Sequence, residues 1–258
     1  MDPMIHVDDI TKTFRLSRKQ QKIEHTSDRI KVAVNHLSFS AYPGEIYGLL
    51  GPNGAGKTTC LRCISTLIQP DSGSITVHGH SVQDDPDAVR KEIGFLTSDL
   101  KLEDFFTPNY LFDYFSRLHG VDPEVSQARK KSLFSRFGID KFAEVKVGEL
   151  STGMRQKAQI AISLVHDPKV IVFDEPTNGL DVLTAKVVTD YLKELRDEGK
   201  TIIVSTHIFS LVEKICDRVG IILNGTLKKT LLLGDLVKNE EDLENLFFDL
   251  VQEEAGEA

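Results

Sequence analysis

The sequence is poor in cysteine and contains no long apolar run. Three cysteines among 258 residues show no obvious pairing scheme, which favours a reduced compartment over a disulfide scaffold. No stretch approaches the roughly 18 apolar residues of a membrane-spanning helix, so the sequence predicts none. The first nine residues carry three aspartates and no basic region followed by an apolar run, which is unlike a secretory signal. We therefore expect a cytoplasmic protein, alone or docked on another molecule.

The charge balance is acidic. Lys and Arg number 31 against 39 Asp and Glu, a formal net charge of −8. This balance argues against a general nucleic-acid binder, and we expect no nucleic-acid partner. Hydrophobic residues make up 40% and charged residues 27% of the chain, which is typical of a folded globular protein of one large or two small domains.

Apolar patterns predict an α/β protein. Strand-like runs open the chain at Ile5 to Phe14 and at Val32 to Ala41. Buried-type strands follow at Glu45 to Leu50, Val170 to Phe173 and Thr201 to Ser205. A helical stretch separates the last two, and strand, helix and strand in this order indicate a parallel core.

The middle of the chain, from about Ser98 to His166, changes to helical patterns. Phe105 to Leu118 holds the densest aromatic cluster, which forms either core or a groove for a partner. Ser126 to Phe137 and Ser151 to Val165 are further helix candidates. The tail from Asn239 holds eight acids and no Lys or Arg, and its apolar spacing predicts an amphipathic helix packed on the body.

Three short features each have a structural and a functional interpretation. The segment Arg15 to Lys31 has six basic and two acidic residues, a net charge of +4, and is either a solvated loop or extended hairpin or a contact for anionic lipid headgroups. Cys60 and Cys63 form either a redox or metal pair or two small buried side chains. The His-Gly-His run at 78–80 is either a metal pair or a hairpin turn.

The strongest chemical signal is a glycine-rich loop, Gly51-Pro52-Asn53-Gly54-Ala55-Gly56-Lys57-Thr58. It fits G-x-x-x-x-G-K-[ST] between a strand and a helix. The glycines let the backbone curl around a phosphate group. Backbone N–H groups that point inward, together with the N-terminus of the following helix, then attract the phosphate. We expect Asn53, Gly54 and Gly56 to contact a bound nucleotide. Lys57 is expected at the β- and γ-phosphates, Thr58 at Mg²⁺ and Thr59 at the α-phosphate.

A second signal is the pair Asp174 and Glu175 at the end of an apolar strand. This placement puts carboxylates at the carboxyl edge of a sheet, where α/β proteins bind ligands. Asp174 is expected to hold Mg²⁺ directly or through water, and Glu175 to act as the base that polarises an attacking water. Alone the pair could simply cap a helix, but the phosphate loop favours the catalytic interpretation.

Two further motifs accompany these. Ser151 and Gly153 in the run LSTGM open a helix and form either a second anion-binding N-terminus or an ordinary cap. One nucleotide needs only one such cradle, so a second suggests a composite site that faces the nucleotide of another subunit. His207 follows a buried strand at the same edge as Glu175 and is either structural or a sensor of the γ-phosphate.

Five ordered motifs together resemble an ABC-type ATPase over nearly the whole chain, from Ile5 to about Leu250: the phosphate loop, LSTGM, Asp-Glu, Gly179-Leu180-Asp181 and His207. Gly148 to Asp217 is especially similar to sodium-extrusion ATPase subunits of the NatA type. Subunits of drug, lipid and polysaccharide exporters share much of this stretch.

The resemblance implies a fold, a P-loop NTPase core with an N-terminal antiparallel β subdomain and an inserted α-helical subdomain. Residues 1–97 would form the first part of the nucleotide-binding core and 98–166 the helical subdomain with the signature motif. Residues 167–238 would complete the core, and 239–258 would form the acidic tail.

It also implies a function. The chain would hydrolyse ATP with Mg²⁺, using Lys57, Glu175 and His207, and would power efflux, Na⁺ efflux in the sodium-extrusion type. Cargo would pass through a separate integral membrane permease, with this subunit peripheral on the cytoplasmic side, its helical subdomain offering a groove to a permease helix. The alternatives are a drug, lipid or polysaccharide exporter subunit, a soluble ABC ATPase, and a module that binds ATP without turnover.

The resemblance further implies a homodimer in the ATP-bound state. Two copies would close head to tail, so that Ser151 and Gly153 of one contact the γ-phosphate bound by Lys57 of the other. Asp181 would lie across the same interface.

The resemblance also implies which residues contact the adenine. The sequence departs from the family pattern at two points. Phe14 falls at the aromatic that stacks on adenine, with Val34 near the same base, but Arg15 to Lys31 separates them by more residues than usual. Family members usually carry Gln after the strand Ile93 to Thr97. This chain has Ser98-Asp99, of which the serine is too short to reach metal and water, while the aspartate could partly substitute.

Overall fold

A computed structural model describes residues 2–23, 26–97, 102–239 and 242–256. Its elements in chain order are β1 (Ile5–Arg15), α1 (Arg18–Ile23), β2 (Ile30–Ala41), β3 (Ile46–Leu50), α2 (Lys57–Ile64), β4 (Ser72–Val77), β5 (His80–Ser81), α3 (Pro86–Glu92), β6 (Ile93–Leu96), α4 (Pro108–Leu118), α5 (Pro123–Phe137), α6 (Thr152–Ser163), β7 (Val170–Asp174), α7 (Val182–Asp197), β8 (Thr201–Thr206), α8 (Phe209–Ile215), β9 (Arg218–Leu223), β10 (Thr226–Leu232), α9 (Leu233–Asn239) and α10 (Leu243–Gly256). Two short 3₁₀ helices, Ile139–Lys141 and Val147–Glu149, precede α6.

The larger sheet has six strands in the order β10-β9-β3-β8-β7-β6. Strands β9, β3, β8, β7 and β6 run parallel, and β10 pairs antiparallel at the edge. Every residue of β3, β7 and β8 is buried, because side chains on the two faces enter two different cores. The predicted parallel α/β core is confirmed, and the carboxyl ends of β3, β7 and β8 meet at one edge.

The smaller sheet is antiparallel, in the order β2-β1-β4-β5. Its strands β1 and β2 correspond to the two strand-like runs that open the sequence and form a long hairpin, from Ile5 opposite Ala41 to Arg15 opposite Ile30. The basic segment between them extends this hairpin and includes α1. The His-Gly-His run turns from β4 into β5, as the hairpin interpretation predicts, and the described residues hold no group of three or more potential His, Cys, Asp or Glu metal ligands.

Helices α4, α5 and α6 lie between β6 and β7, within the span predicted to be helical. Each begins after a residue whose side chain accepts hydrogen bonds from the free N–H groups of the first turn, namely Thr107, Asp122 and Ser151. Proline follows the first two caps, where its missing N–H costs no helical hydrogen bond. Local sequence therefore sets where these helices start.

The aromatic cluster of α4 serves two purposes. Phe112 is fully buried and meets Phe134 of α5 edge to face, with ring centroids 5.5 Å apart. Phe105, Tyr110 and Tyr114 are at least 44% exposed. The core interpretation is therefore confirmed for Phe112, and the groove for a partner stays a prediction.

The predicted tail helix is α10, and a further helix, α9, precedes the tail. In α10, Leu243 and Phe247 are buried, and the Phe247 ring packs against Phe209 of α8 with centroids 5.2 Å apart. The predicted packing of an amphipathic helix on the body is confirmed for α10. No helix within the described ranges is both long and apolar enough to cross a membrane.

The two cysteines of α2 are small core residues. Cys60 and Cys63 are free thiols with no exposed surface. Burial raises the pKa of both, that of Cys63 to about 11, so neither thiolate is available near neutral pH. This supports the structural interpretation over a redox pair.

Candidate functional site

The loop from β3 to α2 requires glycine for its tight path. A Cβ on Gly51 would lie 2.3 Å from the carbonyl oxygen of Ile222 in β9. Gly56 has φ +100°, and its Cβ would lie 2.2 Å from the carbonyl oxygen of Ala33 in β2. Any side chain at these positions would therefore strike a neighbouring strand.

Lys57, the first residue of α2, is held inside this loop. Its Nζ donates hydrogen bonds to the carbonyl oxygens of Gly51 at 2.7 Å and Pro52 at 3.1 Å, and lies 3.9 Å from Glu175 Oε1. Burial lowers the pKa of Lys57, while the carboxylates of Glu175 and Asp174 act to raise it. The cation is thus desolvated and aimed by backbone carbonyls, which suits it to bind an oxyanion.

Asp174, at the end of β7, is fixed by hydroxyl groups from two other elements. Thr58 Oγ1 donates to its Oδ2 at 2.8 Å, and Ser205 Oγ of β8 donates to its Oδ1. The parallel register places Asp174 directly beside Ser205. The hydroxyl and carboxylate oxygens of Thr58 and Asp174 fit Mg²⁺, which typically binds one or two protein carboxylates and takes its remaining ligands from substrate phosphate and water.

Glu175 has a strained backbone and is oriented by His207. Its φ is +52°, a left-handed conformation that is uncommon outside glycine and that clusters at functional sites. His207 Nδ1 donates to Glu175 Oε1 at 2.9 Å, and Thr206 Oγ1 donates to Oε2 over a longer 3.4 Å. The side chain is only 13% exposed, so one carboxylate oxygen is anchored and the other is less tightly held.

These residues surround a polar cavity of about 380 Å³ at the carboxyl edge of the larger sheet. The predicted site residues that line it are Phe14, Asn53, Gly54, Gly56, Lys57, Thr58, Thr59, Asp174 and Glu175. Phe14 lines the cavity and is 41% exposed, so its ring is accessible to stack on a flat ligand. His207 reaches the cavity through its bond to Glu175.

Val34, the second residue predicted near the adenine, is not among the residues that line the cavity. Val34 is fully buried in the core that lies under the smaller sheet, and its neighbour Ala33 lines the cavity instead. Consecutive strand residues point to opposite faces, so Ala33 and not Val34 faces the cavity. Ser98 and Asp99, the candidates for a metal contact, lie outside the described residues.

The signature residues form a second cluster outside the cavity. Ser151 caps α6 by accepting a hydrogen bond from the Met154 N–H at 3.3 Å. A Cβ built on Gly153 would lie 3.9 Å from Asp181 Oδ2, so LSTGM and the Gly-Leu-Asp motif meet within one chain. The Asp181 carboxylate caps α7 and accepts a hydrogen bond from Thr184 Oγ1 at 2.7 Å. The hydrogen bonds from Thr184 lower the pKa of Asp181. Beside it, Val182 and Leu183 are 84% and 78% exposed.

Several residues of the site were not identified from the sequence. The sequence pattern identifies Ser205 only as the last residue of a buried strand. Its place at the end of that strand, next to the strand that ends at Asp174, is the signal that points to the site. Lys31, Ala33, Ala55 and Asn178 also line the cavity. Lys31 lies directly opposite Phe14 in the hairpin register, which a single sequence does not specify.

A second, larger concavity lies between the helical insertion and the sheet core. It has a volume of about 630 Å³ and is mostly apolar; Phe95, Leu102, Phe106, Tyr110, Tyr114 and Ile162 are among its lining residues. His119 and His166 stack at one end with ring centroids 4.0 Å apart. Burial lowers the pKa of His166 to about 4. An apolar groove of this kind is typical of a docking site.

Fold and site together define a P-loop nucleotide-binding protein, and comparison with known families narrows the class. The profile of the ABC transporter family matches residues 34–178. The chain belongs to this family and is an ATP-binding subunit.

Individual relatives agree. The chain is 38% identical over 247 residues to the ABC transporter ATP-binding protein NatA of Bacillus subtilis, covering 95% of this chain and 96% of that protein. It is 40% identical over 195 residues to the Nod factor export ATP-binding protein I of Burkholderia orbicola, covering 76% of this chain and 64% of that protein.

Solved structures show the same fold. The structure of an ATP binding subunit of an ABC transporter superposes with a TM-score of 0.83 at 25% identity, covering 96% of this chain and 99% of that one. The dimeric post-hydrolysis structure of the ATP-binding cassette MJ0796 with ADP and Pi superposes with a TM-score of 0.79 at 25% identity, covering 89% and 99%. The predicted family and P-loop fold are confirmed.

Proposed function

We propose that this chain is the ATP-hydrolysing subunit of an ABC exporter, and that it powers Na⁺ efflux through a separate membrane permease. The observation that carries the ATPase assignment is the hydrogen bond from His207 to Glu175 at the edge of a cavity that also holds Lys57 and Asp174. A module that only binds ATP needs the phosphate loop but no oriented carboxylate beside it.

In this mechanism each residue has a distinct task. The loop N–H groups and Lys57 bind the β- and γ-phosphates, with Phe14 stacked on the adenine. Water attacks the γ-phosphorus; the new P–O bond forms as the bond to the β-phosphate oxygen breaks, and ADP leaves. Glu175 Oε2 accepts the proton of that water, while Oε1 stays bonded to His207. His207 would also contact the γ-phosphate and so register its loss.

Thr58 and Asp174 would hold Mg²⁺ in this cavity. The ion would neutralise negative charge on the phosphate groups. Ser205 keeps Asp174 oriented for that task through its hydrogen bond.

Hydrolysis would take place in a head-to-tail homodimer. Ser151 and Gly153 lie outside the cavity of their own chain, so a contact with γ-phosphate requires a second copy. Asp181 would lie across that interface, and the exposed Val182 and Leu183 give the same surface apolar area to bury. Loss of γ-phosphate would remove the contacts to Ser151 and His207 and open the dimer.

The apolar groove would receive a helix of the permease, with the chain peripheral on the cytoplasmic side of the membrane. The exposed Tyr110 and Tyr114 are suited to anchor such a helix, because aromatic side chains dominate binding energy at interfaces. We propose no nucleic-acid partner, since the chain is acidic.

Sodium as cargo rests on the resemblance of Gly148 to Asp217 to sodium-extrusion subunits of the NatA type. The similarity to NatA of Bacillus subtilis extends along almost the entire chain. A second candidate is an exporter of a different cargo, such as a drug, lipid or polysaccharide, because the Nod factor export protein is 40% identical over a shorter region. Cargo contacts would lie in the permease. A soluble ABC ATPase is less well supported, since the names of both relatives refer to transport or export.

The ATPase and the dimer can be tested with Glu175→Gln. We expect the rate of phosphate release to fall by at least about a hundredfold while ATP binding persists, so that Mg-ATP traps a dimer on gel filtration. Glu213→Gln, a change at an exposed glutamate of α8, is the matched control and should behave as the wild type. A Glu175→Gln chain that remains monomeric in saturating Mg-ATP would count against the mechanism.

The exporter assignment needs the native membrane. Tagged Glu175→Gln protein is used to isolate its partners from membranes in mild detergent with Mg-ATP. A polytopic membrane protein at equal stoichiometry supports the proposal, and Na⁺ flux in vesicles with both subunits then tests the cargo. Recovery of ribosomal or DNA-associated partners without a membrane protein would favour the soluble ATPase.

A further inference from the structure

The tip of the β1–β2 hairpin is positively charged in an acidic chain. Residues 15–31 carry a net charge of +4, whereas the whole chain carries −8. The exposed basic side chains of this tip are Arg15, Arg18, Lys19, Lys22 and Arg29. We call these five, together with Ile23 and Ile30, the basic tip.

The cations of the basic tip have no carboxylate partner among the residues that the structure describes. Elsewhere, many basic side chains form ion pairs: Lys12 with Asp71 at 2.6 Å, and Lys130 with Asp113 at 2.8 Å. The one described acid of the segment, Asp28, accepts a hydrogen bond from Thr26. Positive charge on the tip is therefore not neutralised within the described protein.

The hairpin carries aliphatic side chains beside these cations. Phe14 and Lys31 lie opposite each other in register and line the nucleotide cavity. Ile30 and Val32 are the strand neighbours of Lys31, so they point to the other face, where they are 58% and 47% exposed. Ile23 on α1 is 66% exposed. One face of the hairpin thus serves the nucleotide, and the other offers apolar area next to charge.

Local hydrogen bonds hold the tip in a defined conformation. The Ser17 N–H donates to Gln20 Oε1 at 2.8 Å, and the Gln20 N–H donates to Ser17 Oγ at 3.3 Å, a reciprocal cap for α1. Gln21 Nε2 donates to the Asp28 carbonyl oxygen at 2.8 Å and so links α1 to the residues just before β2. The cations and aliphatic side chains are presented together by a folded element.

We propose that the basic tip binds the anionic phospholipid surface of a membrane. Unpaired Lys and Arg attract lipid phosphates, and exposed isoleucines can enter the headgroup boundary, a combination typical of interfacial membrane contacts. Single-stranded nucleic acid would call for exposed aromatic stacking platforms, and the nearby Phe14 lies on the nucleotide face. The inference goes beyond the proposed function, and its test needs neither ATP hydrolysis nor a permease.

The test is sedimentation of the purified full chain with vesicles. One set contains phosphatidylcholine and phosphatidylglycerol at about 3:1, and the other contains phosphatidylcholine alone. We expect the wild type to bind the anionic vesicles at low salt and to be released as salt screens the charges. Each cation near the surface contributes roughly fivefold, so loss of three cations alone lowers the partition coefficient about a hundredfold. R18E/K19E/K22E also adds three negative charges and should lower it by at least that much.

The matched control is K131E/K141E/K229E, which makes the same change in net charge at exposed lysines elsewhere. It should retain most of the binding, and unfolding temperatures establish that each variant is folded. Ile23→Ser removes apolar area without changing charge and should weaken binding several-fold, which provides a second readout. Equal losses in the two triple variants, equal wild-type binding to both vesicles, or binding to RNA but not to anionic vesicles would overturn the proposal.

Discussion

The two concavities of this protein are built by different physical means. The nucleotide cavity, of about 380 Å³, is polar, and its main side chains are fixed by hydrogen bonds at the ends of parallel strands. The groove, of about 630 Å³, is lined mostly by aromatic and aliphatic side chains between the helical insertion and the sheet. The function of the nucleotide cavity therefore depends on the orientation of polar groups, and that of the groove depends on apolar contact area. Substitutions in the cavity should change ATP hydrolysis, and substitutions in the groove should change binding to a partner.

The largest expected effect lies in the nucleotide cavity. Ser205→Ala removes the hydroxyl that donates to Asp174 Oδ1 and leaves that carboxylate held by Thr58 alone. Outer partners of a metal ligand are worth about 10- to 100-fold in affinity or activity, so we expect hydrolysis at limiting Mg²⁺ to fall about thirtyfold. The change should shrink at high Mg²⁺, which separates a positioning role from general damage.

The matched control for that prediction is Ser163→Ala in the groove. Ser163 Oγ donates to the Ile160 carbonyl oxygen of its own helix. Steady-state phosphate release by this variant should stay within about twofold of the wild type. Equal losses in the two variants would show that the regions are not independent.

An intermediate effect is expected for Tyr114→Ala in the groove. Tyr114 lines the groove and is 46% exposed, so its truncation removes contact area without opening the core. We expect unchanged hydrolysis by the isolated chain and about tenfold weaker binding to the detergent-solubilised permease. Leu118→Ala, at a 66% exposed residue of α4 outside the groove lining, is the control and should bind normally. Loss of intrinsic hydrolysis in Tyr114→Ala would contradict the division between the two regions.

The smallest effect concerns pH and stability. Burial holds the pKa of His166 at about 4, below its ordinary value of about 6.5, and no described residue bonds its Nδ1. As pH falls from about 6.5 towards 4, the unfolded chain binds a proton that the folded chain resists, so the free energy of unfolding decreases. In His166→Gln, the decrease in the free energy of unfolding should be smaller than in the wild type by about 1 kcal/mol, a value that allows for partial solvent screening. Urea unfolding at pH 7 and pH 4.5 measures it, and an unaltered pH dependence would refute it.

The sequence predicted the nucleotide cavity better than the groove, for physical reasons. The phosphate loop is contiguous, and its chemistry requires Gly51, Gly56 and Lys57 at set spacing, so a short pattern specifies it. The strand that ends at Asp174 and the strand that ends just before His207 are both recognisable as buried apolar runs. Their meeting edge then follows from the rules of parallel sheets.

Contacts that depend on register or on distant packing were not predictable. The shift from Val34 to Ala33 depends on which face of β2 turns inward, and the pairing of Lys31 with Phe14 depends on how the basic segment folds. The groove joins Phe95, Tyr114 and Ile162 from three separate elements. The domain boundaries and the roles of Ser151, Gly153 and Asp181 remain predictions.

The most direct test of the account is complementation between two inactive variants. Lys57→Met disables the phosphate loop, and Ser151→Arg blocks the signature helix, so each homodimer should lack activity. A mixed dimer would contain one intact composite site, made from the loop of one chain and the signature of the other. We predict that an equal mixture recovers up to about a quarter of wild-type phosphate release, since about half the dimers are mixed and each has one working site. A mixture as inactive as its components would contradict the composite site.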